Sequence, residues 1–167
     1  MDSSEPKFLV HTAPAKTAEQ NYIARVDLAH FGFPGLFEQM WLGNLGQGVY
    51  EVRCIPFRVY GIALGDLVGV SPDGSLINSL IRPSGRRVLR ILIIPSLANW
   101  RLSVIVDSLN INIEVLNLLF EWSGDRHVAI DIPEGLNVDD LIDLAQGYAE
   151  RGEVLWEWGD VEPFKAS

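Results

Sequence analysis

Between Trp41 and Val70 the chain reads W-L-G-N-L-G-Q-G-V-Y-E-V-R-C-I-P-F-R-V-Y-G-I-A-L-G-D-L-V-G-V, short aromatic and branched runs punctuated by glycine and proline. That is how a small, curved sheet is written. Alternation from Val49 to Ile55 predicts a strand, and Pro56, which cannot donate to a ladder, belongs at a strand end or on an edge. Gly61 and Gly65 suit a bend or a turn with positive φ. Asp66 precedes a new strand, L-V-G-V, and S-P-D-G-S at 71–75 is a turn that returns the chain through Ser75 to Arg82.

The remaining elements are placed around this stretch. Residues 1–20 read as a flexible lead-in, with F-L-V at 8–10 available as a short edge strand. Strands are expected over 21–31 and 36–42, with a turn at 44–48. R-P-S-G-R-R at 82–87 reads as a seam between two units. Beyond it, Val88 to Ile94 reads as a buried strand, 97–110 as a helix, Ile111 to Trp122 as a long strand, and His127 to Ile132 as its hairpin partner. Asn137, with Asp139 and Asp140 in the first turn, predicts the start of a second helix over 138–151, and Glu153 to Trp158 is the last strand. The fold class is therefore α+β. A curved antiparallel sheet or small barrel over 21–83 precedes a ferredoxin-like βαββαβ unit over 84–162, and 163–167 form a tail.

Composition narrows the functional classes. The 167 residues carry a net charge of −9, which disfavours phosphate backbones and favours a cationic partner. The charge is uneven: Ile81 to Arg101 holds five arginines and no acid, whereas Glu114 to Glu162 holds thirteen acids and two arginines. No apolar run is long enough to span a bilayer, and M-D-S-S-E-P-K lacks the form of a signal peptide, so the expected location is cytoplasmic, with neither membrane nor nucleic acid as a partner. The one cysteine, Cys54, rules out an internal disulfide and reads as a buried, inert thiol.

Trp41, Leu45-Gly46, Gly48-x-Tyr50, Ile55-Pro56-Phe57, Tyr60-Gly61-Ile62-Ala63, Gly65-Asp66 and Val68, followed by Ser84-Gly85 and Arg90, form a pattern that resembles an uncharacterised bacterial domain of unknown function. The resemblance is specific from Trp41 to Arg90 and loose beyond it. It implies a small soluble bacterial protein and brings no activity, cofactor or catalytic residue. Members of such families often sit beside toxin genes as immunity proteins.

No catalytic motif is present, and His11, His30 and His127 are scattered without one. No catalytic residue, metal site or cofactor is expected; the Asp139, Asp140 and Asp143 group reads as dipole partners of a helix start. The expected function is non-enzymatic protein binding, as an immunity protein whose acidic sheet face or helix start occludes a basic site, plausibly that of a toxin catalytic domain. Alternation places Glu153 and Glu157 on the outward sheet face with Asp131 and His127, so Glu121, Asp131, Glu153 and Glu157 are the expected partner-binding residues. The alternative is a regulator or weak enzyme that binds a nucleotide or phosphate ligand through Ser84, Arg86, Arg87 and Arg90. Tyr60 and Trp41 read as core or barrel-closing residues.

Overall fold

Two sheets are joined through a loop of the glycine-punctuated stretch, which packs on one face of the second. The structure, a computed structural model, describes residues 5–17 and 20–166. The first sheet contains β1 (Lys7–Leu9), β2 (Asn21–Asp27), β3 (Leu36–Gly46), β4 (Val49–Val52), β5 (Leu67–Val70) and β6 (Ile77–Arg82). Its order is β1-β3-β4-β5-β6, with β2 also on β3. A bridge between Arg25 and Leu76 draws β2 towards β6 and curls the sheet on itself. β1 runs parallel to β3, so the sheet is mixed where a wholly antiparallel one was expected. The predicted strand at 49–55 stops at Val52, and residues 53–66 form an irregular crossing loop that leaves β4, packs on the second sheet and returns to β5.

The second sheet has the order β10-β7-β9-β8, built from β7 (Arg87–Ile93), β8 (Phe120–Ser123), β9 (His127–Ile132) and β10 (Val154–Trp158), with antiparallel neighbours throughout. Helix α1 (Asn99–Val115) follows β7 and helix α2 (Asp139–Glu150) follows β9. Asn137 stands at the start of α2, where its side chain accepts a hydrogen bond from the Asp139 amide at 2.8 Å. Both helices pack on the sheet face that carries Leu89, Ile91, Val128 and Ile130.

The expected long strand over 111–122 is mostly helix: α1 continues to Val115, and only Phe120 onwards is extended. The β-branched run N-I-N-I-E-V favours a strand locally, but Leu102, Ile105, Leu109 and Ile113 recur at helical spacing and fill one core. Burial along the helical period outweighs the local preference.

The opposite face of the second sheet is covered by the first unit. Val88 and Ala129 pack there with Ile55, Phe57, Ala63 and Leu64 from the crossing loop. Both chain ends join in. The described part of the expected lead-in forms β1 and buries His11, while Phe164 of the expected tail packs on the first core. Residues 1–4, 18, 19 and 167 lie outside the described residues. At Gly61, with φ of 73°, a Cβ would strike the Phe164 backbone, so only glycine fits under the returning tail.

Two isoleucines in one short run read out the helix assignment. Ile113→Ala, in the core, should lower stability by about 2–4 kcal/mol, whereas Ile111→Ala, on the exposed side, should change it by less than about 0.5 kcal/mol. Urea unfolding of the two variants makes the comparison.

Candidate functional site: a charged seam and the cleft beside it

The seam is organised by His11, which is 4% exposed. Its Nδ1 lies 2.8 Å from Glu121 Oε1 and its Nε2 lies 2.9 Å from Glu38 Oε1. Both ring nitrogens donate, which requires the imidazolium. Burial opposes that charge, but the bonds to Glu121 and Glu38 hold the ring above its ordinary range. Burial also raises the Cys54 thiol, so the thiol stays neutral and the counter-charges are the two carboxylates. Burial likewise opposes the charge on Glu38, yet its bond to His11 and the Phe57 amide hold it below the ordinary range.

The two carboxylates pin the crossing loop. Glu38 accepts from the amides of Phe57, Arg58 and Val59 at 2.6, 2.8 and 3.0 Å. Glu121, reaching across from β8, accepts from the Ile55 amide at 2.5 Å and the Ala15 amide at 3.2 Å. The Phe57 ring stacks on His11 with centroids 4.4 Å apart. Cys54 is fully buried against β3, accepting from the Trp41 amide at 3.3 Å, as an inert thiol should be.

Where the loop stops covering the sheet, a cleft of about 150 Å³ opens, lined by Arg58, Tyr60, Arg90, Leu92, His127, Leu155, Trp156 and Glu157. Strand register builds its floor: Leu92 lies between Leu155 and His127, and Arg90 lies between Glu157 and Ala129. Arg90 is 2% exposed, and its guanidinium lies 4.9 Å from the centroid of the Tyr60 ring. One Nη donates to the Val59 carbonyl, and the other is 3.5 Å from Glu157 Oε1. Nε and that second Nη have no hydrogen-bond partner among the described residues.

Tyr60 donates its hydroxyl to Glu157, 2.8 and 2.7 Å from the two oxygens, and burial with that carboxylate pushes the phenol up to about 12. Burial, reinforced by Arg58 and Arg90, lowers His127 to about 4, so it stands as a neutral imidazole. Arg58 lies 5.4 Å from the centroid of the Phe33 ring and has no carboxylate partner among the described residues. Two guanidinium groups thus face one carboxylate, and the cleft is lined by more positive than negative charge.

The expected acidic face does not form. Glu121 and Asp131 are 4% and 1% exposed, buried in the seam, with Asp131 held by Arg86 at 2.9 Å. Glu153 is gripped by Arg101 at 2.9 Å, and Glu157 belongs to the cleft. Alternation assigned Glu121, Asp131 and Glu157 to one face correctly, but the first unit covers most of that face, and Glu153, just ahead of β10, turns to the helix layer. The structure splits the alternative set, with Arg86 and Arg87 lining a separate pocket of about 260 Å³ beside Asp66 and Asp160. Ser84 donates to the Leu64 carbonyl at 2.8 Å and Arg87 pairs with Asp160 at 2.9 Å, so among Ser84, Arg86, Arg87 and Arg90 only Arg90 reaches the cleft. Sequence reasoning missed His11 as a centre and Arg58 and Tyr60 as cleft residues. The I-P-F-R-V-Y run, too polar at its end for a buried strand, was the available signal.

These features define a two-sheet α+β protein with a partly closed cleft at the junction of its units. The chain matches the family described as "Domain of unknown function (DUF4265)" over residues 38–157 and belongs to that family. It is similar to a solved structure described as "Novel crystal structure of a hypothetical protein from Neisseria gonorrhoeae", at 17% identity and a TM-score of 0.62, covering 90% of this chain and 99% of that one. That likeness concerns the fold. No curated protein matches the chain. Among the described residues no helix is long and apolar enough to cross a membrane.

The seam makes stability depend on pH in a defined way. A histidine raised above its unfolded value stabilises fully below about pH 6.5. That contribution declines as pH rises above about 6.5 towards the raised folded value. The lowered Glu38 contributes above its ordinary range and is lost in acid. His127, lowered to about 4, makes protonation of the unfolded chain destabilising below about pH 6.5. Stability should therefore peak near about pH 6.5 and fall through pH 9. His11→Gln should flatten the alkaline fall and cost about 3–5 kcal/mol, by leaving two buried carboxylates without their cation. Chemical denaturation across that pH range measures both effects.

Proposed function

We propose that this is a non-enzymatic binding protein whose cleft takes a small molecule by one anionic group, with a carboxylate as the preferred chemistry. The observation that carries this reading is Arg90, a buried guanidinium lining the cleft with Nε and one Nη unpartnered. Leaving such donors without an acceptor in the interior is costly, and an arriving carboxylate would supply an acceptor to the Nη that faces the cleft beside Glu157. After Glu157 is counted, Arg58 and Arg90 leave about one positive charge in the cleft, which balances a carboxylate better than a phosphomonoester carrying about −1.5 to −2. Leu92 and Leu155 offer apolar walls to the remainder of the ligand. The cleft is smaller than the roughly 300–1,000 Å³ of drug-sized sites, so a nucleotide would extend well outside it.

In this reading the C-terminal unit is ferredoxin-like. Its sheet serves as the cleft floor on one face and as a bed for helices on the other. Occlusion of a basic protein by the sheet carboxylates finds less support, because those carboxylates already have partners within the chain.

Hexanoate, benzoate, inorganic phosphate and AMP, each titrated by calorimetry and thermal shift, test the proposal. A carboxylate should bind and raise the melting temperature, and Arg58→Ala at the cleft wall should weaken it at least about tenfold. Arg87→Ala should leave it unchanged. Preferential AMP binding that Arg87→Ala abolishes would shift the site to the 82–90 loop, and a flat response to all four probes would refute it.

A further inference from the structure

Helix α1 is apolar on two opposite sides. Leu102, Ile105, Leu109 and Ile113 point into the core. On the outer side Trp100, Val104, Ile111 and Val115 are 71%, 46%, 60% and 79% exposed. Their spacing of four, seven and four residues holds them in one stripe, since a helix returns to the same side after about 3.6 residues or a multiple of it. Four large apolar side chains aligned on one exposed helix are a contiguous patch, and such patches mark interaction sites.

The surroundings of the stripe say what kind of partner it fits. Asp107 and Glu114 are exposed on α1, and Asp139, Asp140 and Asp143 are exposed on the neighbouring α2. The basic groups of this layer are engaged: Arg101 and Arg151 both pair with Glu153, at 2.9 and 3.4 Å. An apolar stripe in an acidic setting is complementary to an amphipathic helix with basic margins. A second copy fits poorly. A two-fold antiparallel pairing of α1 sets each flank beside its own equivalent, bringing Asp107 and Glu114 against an acidic flank.

We propose that the outer face of α1 is the docking site for a protein partner that presents an amphipathic helix flanked by lysine or arginine. Its apolar side covers Trp100, Val104, Ile111 and Val115, and its basic margins meet Asp107, Glu114 and the start of α2. The net charge of −9 attracts such a partner over distance, and the stripe supplies the contact that holds it. This is the cationic partner that the composition calls for, met on the helical layer instead of the sheet face. It is independent of the cleft.

The test uses two synthetic amphipathic peptides of about five helical turns, with identical leucine stripes and either lysine or glutamate margins. Their binding is followed by fluorescence anisotropy at physiological salt, and circular dichroism verifies the fold of each variant. The lysine peptide should bind the wild-type chain, the glutamate peptide should bind at least about tenfold more weakly, and Ile111→Asp should weaken the lysine peptide by a similar factor. Ile111→Asp adds a negative charge, so an interaction that was only electrostatic would tighten. Tightening or no change, equal binding of the two peptides, or a wild-type dimer in sedimentation that Ile111→Asp splits into monomers would each overturn the proposal.

Discussion

An imidazolium clasped between two carboxylates, closed off from water, determines how the two halves of this chain are assembled. His11 comes from the N-terminal segment, Glu38 from β3 and Glu121 from β8, so the cluster ties together positions separated by 27 and 110 residues. Taking three charges out of water is expensive, and their mutual attraction recovers that cost only when the remaining lone pairs are also satisfied. Here they are, because five backbone amides of the N-terminal segment and the crossing loop donate to Glu38 and Glu121. The return on the arrangement is positional. A loop with no regular structure of its own is fixed amide by amide, and everything mounted on it inherits that placement.

Much of the architecture was legible because it follows from periodicity and turn chemistry. The change from a curved sheet to alternating strands and helices near residue 82, the start of the second helix at Asn137, and the two-sided alternation of the last strand are all present as read. The α1 boundary was misread because N-I-N-I-E-V carries strand-favouring side chains whose burial at helical spacing shows only once the core is assembled. The central histidine was invisible for a related reason: a polar residue near an N-terminus, between two prolines, gives no local sign that it will be buried under two distant glutamates. Alternation told which side of the sheet Glu121, Asp131 and Glu157 occupy. It could not tell that another part of the same chain would lie over that side.

The cleft follows from the incomplete overlap of the two units. The crossing loop covers Val88 and Ala129 with Ile55, Phe57, Ala63 and Leu64 but stops short of Leu92, His127 and Leu155 at the margin. Leu155 is 65% exposed, which is unusual for a strand residue beside a packed interface and shows where the cover ends. Arg90 sits on the boundary. Toward the interior it donates to the Val59 carbonyl, and toward the margin its remaining donors find only Glu157 at 3.5 Å.

That position makes the cleft and the seam parts of one electrostatic system. Arg90 helps to keep Glu38 ionised, Glu38 fixes the amides of Phe57, Arg58 and Val59, and that fixed segment carries Arg58 and Tyr60 to the cleft wall. A negative group bound at Arg90 would draw on the same positive charge that Glu38 uses, and it would rest against side chains whose backbone Glu38 holds. Occupancy of the proposed site would therefore be coupled to the protonation of the buried cluster, with a sign set by linkage: an anion at Arg90 would take up charge that keeps Glu38 ionised and so favour its protonated form.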